Sequence, residues 1–236
     1  TLLDGAYDVR VSAQDVAGNT AQALVSITID NTPPRVELNL VNNQYLPEHV
    51  DVEEEVFDQN IASYEVRWLR QASPPIWEIA GGGTENTAGV LASFDADRDV
   101  ASMISVRARD RAGNETEKTV PVVFDITDPA TSYSFDGPNY DSGENLYVSP
   151  TTKVSLNAAD SGSGIERVYY RTGLNPYGTY TGPLTFSMSG SVPISFKAVD
   201  RVGNEEAEKS VLITVDKASP AVSIYFTPPA YENNGV

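Results

Sequence analysis

Apolar residues along this chain recur at every second position in short bursts, and turn-forming residues separate the bursts. Val9, Val11 and Ala13 alternate with polar neighbours, as do Val25, Ile27 and Ile29. The same pattern gives strands through Val36, Leu38 and Leu40; Val50 and Val52; Tyr64, Val66 and Trp68; Ile104, Val106 and Ala108; and Val120, Val122 and Phe124. Beyond these it gives strands through Tyr133 and Phe135; Val154, Leu156 and Ala158; Ile165, Val168 and Tyr170; Leu184 and Phe186; Ile194, Phe196 and Ala198; and Val211, Ile213 and Val215. A period of two puts one set of side chains on a buried face and the other in water, as in half-buried antiparallel strands. No window carries a convincing helical period, so the pattern predicts an all-β protein.

Three of the bursts run into one turn, written VSAQDVAGN, VRARDRAGN and FKAVDRVGN. Asp15, Asp110 and Asp200 head these turns, 95 and 90 residues apart. Such an Asp can accept backbone N–H bonds, Gly18, Gly113 and Gly203 suit the position where φ turns positive, and Asn19, Asn114 and Asn204 can add a local side-chain bond. Calcium ligation by the same side chains is the other reading. One Asp and one Asn per turn fall short of the roughly six to eight oxygens calcium takes, which favours the turn. One turn per ~90 residues suits tandem immunoglobulin-like β-sandwiches in an extended array.

The repeat divides the chain. Residues 1–30 hold the C-terminal hairpin of a truncated domain, which needs preceding strands because an isolated hairpin is marginal in water. Residues 31–125 and 126–216 form two complete domains, and 217–236 begin another, with Pro220, Ile224, Phe226, Pro229 and Tyr231 repeating Pro129, Tyr133, Phe135, Pro138 and Tyr140 at an offset of 91. The first junction, Asp30 to Pro34, ends in two prolines and predicts a short, stiff connection. Early strands of the two complete domains match at an offset of 104 but their turns at 90, so the first carries about 14 more residues between its third strand and final hairpin. That insertion, 71–85, includes Ser73, Pro74, Pro75, Ile76, Trp77 and Gly81 to Gly83. By the 104-residue offset Glu54 takes the inward place of Ala158, and a strand reaching its rim there would leave the carboxylate solvated.

LLDGAYDVRVSAQDVAGN at the start, and SGIERVYYRTG, YTGPLTFSMSG and SFKAVDRVGN later, resemble bacterial Ig-like tandem repeats of large surface or secreted proteins. The resemblance covers nearly the whole chain, more weakly over 41–100. It implies a noncatalytic stalk or spacer at the cell surface or in the extracellular space, with the periplasm as a further location. Its partners would be the neighbouring Ig-like domains of the same chain. Two alternatives stand beside it: an adhesive segment that contacts glycan or protein through the 71–85 insertion, and a spacer in a secreted multidomain hydrolase. Complementation between terminal half-domains of different molecules, giving head-to-tail polymers, is a less favoured outcome.

Composition narrows the chemistry. Sixteen Lys and Arg against 33 Asp and Glu leave a net charge of −17, a field that repels nucleic acid and anionic membranes. No apolar run approaches the roughly 20 residues of a membrane span, so this segment is not expected to insert. With no cysteine, disulfides and thiol–zinc chemistry are excluded, and the single histidine, His49, rules out a multi-histidine metal site within one chain. Asp95 and Asp97 read as a solvated polar turn in preference to a glycosidase pair, and no catalytic residue is assigned. No cofactor is required on this reading. Calcium at domain junctions is the cofactor hypothesis, with Asp30, Asp125, Asp128 and Asp216 as candidate ligands, against a reading in which these acids only end strands. Pro75, Ile76 and Trp77 are the candidate partner-binding residues, weighed against Trp77 folding over its own sandwich edge, and Trp68 is expected in the core.

Overall fold

A computed structural model describes residues 2–70, 74–225 and 227. Thr1, residues 71–73 at the start of the insertion, and Phe226, Pro229 and Tyr231 of the final repeat lie outside the described residues. The chain is all-β. It opens with β1 (Gly5–Gln14) and β2 (Thr20–Ile29), an antiparallel hairpin in which Val9 faces Val25 and Val11 faces Ala23. The expected turn joins them: Asp15 Oδ1 accepts from Ala17 N at 2.9 Å and Asn19 N at 2.8 Å, and Gly18 has φ of 93°. Gly113 and Gly203 repeat this at 95° and 100°, a region costly for residues with a Cβ.

The next stretch forms an immunoglobulin-like sandwich from β3 (Arg35–Leu38), β4 (Gln44–Leu46), β5 (His49–Phe57), β6 (Ile61–Arg70), β7 (Ile76–Gly83), β8 (Thr87–Asp95), β9 (Val100–Asp110) and β10 (Glu115–Phe124). One sheet runs β3-β5-β8 and the other β4-β10-β9-β6-β7. The alternating residues meet between them: Val36, Val50, Val52 and Val56 from one sheet, and Val66, Trp68, Ile104, Val106, Val122 and Phe124 from the other. Burying each such side chain is worth about 1.5–3 kcal/mol, which is what holds two half-apolar sheets face to face. Trp68 is core as expected, stacked on Phe94 at 5.0 Å and edge-on to Phe124 at 5.8 Å.

The insertion supplies a crossing between the two sheets. Its β7 lengthens one by pairing with β6, and the chain returns as β8 beside β5 in the other. The glycine run permits this: a Cβ on Gly82 would lie 2.4 Å from the Tyr64 carbonyl oxygen. Glu54 is exposed, though not because the strand has ended, since β5 continues to Phe57. Its φ of 127° turns it out of the face on which Val52 and Val56 remain fully buried.

A second sandwich follows, from β11 (Ala130–Asp136), β12 (Asn139–Asp141), β13 (Leu146–Val148), β14 (Lys153–Ala159), β15 (Ile165–Thr172), β16 (Gly178–Thr179), β17 (Gly190–Asp200) and β18 (Lys209–Val215). Its sheets run β11-β14 and β12-β13-β18-β17-β15-β16. Val148, Val154, Leu156, Ile194, Phe196, Val211, Ile213 and Val215 form its core. The strand expected through Leu184 and Phe186 is not a strand: after Gly182 and Pro183 the chain makes one isolated bridge, Val154 to Leu184. A proline has no N–H to extend a ladder. By contacts the chain forms two compact units, Thr1–Pro129 with Ala159–Glu166 and Val199–Glu206, and Ala130–Ala158 with Arg167–Ala198 and Ala207–Val236. The loops around 160 and 202 therefore group with the first unit, across the expected boundary at 125. Residues 217–225 and 227 form no strand.

Candidate cation sites

Two trios of aspartates stand out, both inside the first unit. Asp30, Asp58 and Asp110 each offer a carboxylate oxygen within 4.8 Å of the others, and Asp125, Asp160 and Asp200 do the same. A cation with oxygen ligands at about 2.3–2.6 Å spans a coordination sphere of just that width. Each trio takes one acid from the segment after a hairpin (Asp30, Asp125), one from a loop between strands (Asp58, Asp160) and one from the Asp-x-x-Gly-Asn turn (Asp110, Asp200).

The turn holds its acid and also reaches the segment. Asp110 Oδ1 accepts from Gly113 N at 2.7 Å and Asn114 N at 2.8 Å, and Oδ2 accepts from Asn114 Nδ2 at 2.7 Å. The same Asn114 amide donates to the Asp30 carbonyl at 3.1 Å. In the second trio Asp200 accepts from Val202 N, Gly203 N and Asn204 N and from Asn204 Nδ2, while that amide donates to the Asp125 carbonyl at 2.9 Å. Burial raises the pKa of Asp110, but the hydrogen bonds from Asn114 and Gly113 outweigh it and hold the carboxyl below its ordinary value. The acid stays ionised although its residue is 1% exposed.

The segments are pinned by acids that the sequence reading did not single out. Asp4 accepts from Asn31 N at 2.7 Å and Thr32 Oγ1 at 2.5 Å. Asp99 accepts from Ile126 N at 2.7 Å and from Thr127 Oγ1. Asp4 and Asp99 are 95 residues apart, the interval between the first two turns, and that repeat was the available signal.

Each trio has two buried acids and one half-buried one, Asp30 in the first and Asp160 in the second. Asp125 and Asp200 are each 1% exposed, and Ser163 is 5% exposed. Asp125 Oδ2 accepts from Ser163 N at 2.5 Å, and Asp160 Oδ2 accepts from Gly162 N at 3.0 Å and Gly164 N at 2.7 Å. The other oxygens of both acids, and the Ser163 hydroxyl, are buried without a protein partner. Gly162 lies flat on the Asp125 carboxylate, where a Cβ would come within 2.3 Å. Unpaired buried carboxylate oxygens cost free energy, more so with like charges adjacent, and a cation among them relieves both terms.

Asp128 and Asp216 belong to neither trio. Both are exposed, and Asp216 Oδ1 caps a turn through Ala218 N at 2.8 Å. Pro75 is exposed just before β7, and Ile76 and Trp77 are 51% and 41% exposed on that strand. Trp77 is thus part of an edge strand and not the tip of a protruding loop; it pairs with Leu69, and the Arg67 guanidinium lies 5.3 Å over its ring. Asp95 and Asp97 are not a free acid pair. Asp95 accepts from or pairs with His49 Nδ1 at 2.7 Å, and Asp97 is held well below the usual carboxylate range by hydrogen bonds from Arg98 and Arg70.

No protein-family model matches the sequence, and no curated protein matches it. Among solved structures, it is similar to fibronectin(III)-like modules of Clostridium thermocellum CbhA, at 15% identity over 80% of this chain and 99% of that one, with a TM-score of 0.39. It is also similar to a tetra-tandem repeat in the extending region of a large adhesion protein, at 20% identity over 91% of this chain and 57% of that one, with a TM-score of 0.33. Extracellular cadherin domains 1–4 of protocadherin gamma B7 match at 16% identity over 89% of this chain and 57% of theirs, with a TM-score of 0.27. The chain spans little more than half of the last two. The fold assignment rests on the sheets themselves. Among the described residues, no helix is long and apolar enough to cross a membrane.

Proposed function

We propose that this chain is a noncatalytic stalk or spacer segment of a large bacterial surface or secreted protein, in which linker aspartates bind calcium. The observation that carries the cation reading is the Asp125–Asp160–Asp200 trio with its partnerless buried oxygens. Three carboxylates give a hard-oxygen site, and water would complete the shell. A cation there ties the segment after β10 to the β14–β15 loop and the β17–β18 turn. Stapling a linker in this way stiffens it, which suits a spacer whose role is reach. Extracellular calcium is abundant enough to fill sites of modest affinity. Of the four linker acids considered for calcium, Asp125 belongs to this site, Asp30 to the other trio, and Asp128 and Asp216 to neither.

Thermal unfolding with calcium and with chelator tests this reading. A ligand that binds only the folded state stabilises it by about 2.7 kcal/mol at 100 times its Kd, so calcium should raise the Tm and Asp160→Asn should abolish the shift. Identical melting in both conditions would remove the calcium.

Adhesion is the second reading, favoured by Trp77 and Ile79, exposed on one face of the edge strand β7. Aromatic residues stacked with Arg are common interface anchors. A glycan or protein array in which Trp77→Ala loses a signal without losing stability would support it, and identical profiles would count against it.

A further inference from the structure

The two trios share a plan but differ in how their oxygens are satisfied. At the first, the side-chain amide of Asn60 donates to Asp30 Oδ2 at 3.0 Å, while Asn60 N donates to Asp58 Oδ1 at 2.6 Å. Asp30 Oδ1 accepts from Thr32 N at 3.2 Å. Asp30 is half-buried, as Asp160 is in the second trio, and it lines, with Asp58, a solvent-open cleft that also holds Arg35. At the second, Asp125 Oδ1, Asp160 Oδ1 and Ser163 Oγ are buried with no protein partner.

The loops explain the difference. Between Phe57 and Ile61 the chain reads Asp-Gln-Asn, whereas between Ala159 and Ile165 it reads Asp-Ser-Gly-Ser-Gly. The longer loop lays Gly162 and Ser163 N over Asp125, and it has no amide side chain to offer the acids. The shorter loop brings Asn60 in against Asp30.

We infer that only the Asp125–Asp160–Asp200 trio is a tight calcium site, and that at the Asp30–Asp58–Asp110 trio the Asn60 amide stands in for the cation. This rests on the cation reading of the trios given above. A cation entering the first trio must displace the Asn60 amide from Asp30, and solvent in the cleft screens the carboxylates that would attract it. A cation entering the second finds Asp125 Oδ1, Asp160 Oδ1 and Ser163 Oγ without a protein partner, and no side-chain amide has to leave Asp125 or Asp160 to admit it. Successive linkers are thus stitched differently, one by an amide and one by a metal ion, and only the latter responds to calcium.

Calorimetric titration of the whole chain with calcium chloride tests this. One calcium should bind per chain, with any second event at least tenfold weaker. Asp160→Asn should abolish the tight event, Ser163→Ala should weaken it several-fold without disturbing the fold, and Asp58→Asn should leave it unchanged. Asn60→Asp, which replaces the stand-in amide by a fourth carboxylate, should create a second event of comparable affinity. Two equal events in the unmodified chain, tight binding that survives Asp160→Asn or is lost in Asp58→Asn, or a titration of Asn60→Asp identical to the unmodified chain would each overturn the inference. Absence of binding in every variant would instead bring down the cation reading beneath it.

Discussion

Gly162→Ala is a perturbation whose size can be worked from the structure. The added Cβ would sit 2.3 Å from Asp125 Cγ and Oδ2 and 2.4 Å from Oδ1, far inside any real contact. The carboxylate has little room to retreat, because Asp125 is 1% exposed and its amide is bonded to the Leu46 carbonyl at 2.9 Å. Overpacking of this kind costs about 1–3 kcal/mol. If Asp125 Oδ2 also separates from Ser163 N, a charge-assisted bond worth about 1.5–3 kcal/mol goes with it. The expected loss is therefore about 3 kcal/mol in the unit that contains Asp125, with calcium affinity falling at least tenfold. Both tryptophans, Trp68 and Trp77, lie in that unit, so urea unfolding followed by tryptophan fluorescence reads it selectively. Gly178→Ala is the control: its Cβ would meet nothing within 4 Å and it lies in the other unit, so the transition read by the tryptophans should keep the midpoint of the unmodified chain. Equal midpoints for the two variants would refute the close approach on which the second trio is built.

Other residues give further expectations. Glu54 carries φ of 127° without being glycine, so Glu54→Gly should raise stability by about 1 kcal/mol in the same urea assay, despite the entropy glycine adds to the unfolded chain. Asn114→Ala removes a half-buried amide that bonds both Asp110 and Asp30, and should cost about 1–2 kcal/mol; Asn19→Ala, at an exposed turn, should cost less than ~0.5 kcal/mol. His49 has its pKa raised from 6.5 by its hydrogen bond to Asp95, so an NMR titration should give a midpoint above that value. The attendant stability is fully present below the unfolded pKa and disappears as pH rises through the folded one; because the ring is 63% exposed, the change in Tm should be small and absent in His49→Gln.

The strands and turns were largely legible because their signals are local. Period-two alternation marks Val50, Val52, Val66, Trp68, Ile104 and Val106 without any knowledge of partners, and the turn glycines follow from the φ they require. Local patterns fail where length or pairing decides. The strands β4 and β13, three residues each, are too short to alternate visibly; they exist because they lie parallel to β10 and β18. The run Gly81 to Gly83 reads as a loop until the nearby Tyr64 backbone explains it. The same limit applied to the site. Asp30 and Asp125 were visible by their places at linkers and Asp110 and Asp200 by their turns, but nothing local joined these sets. The third members, Asp58 and Asp160, come from loops of different length, so no constant offset relates them. That difference in loop length also separates an acid trio held by an amide from one with open oxygens.

A crystal structure of the chain grown with terbium in place of calcium, read by anomalous scattering, tests the central claim most directly. The account predicts a strong peak among Asp125, Asp160 and Asp200, in contact with the carboxylate oxygens that lack a protein partner, and a far weaker one or none at Asp30, Asp58 and Asp110. No peak at the Asp125 trio would contradict it.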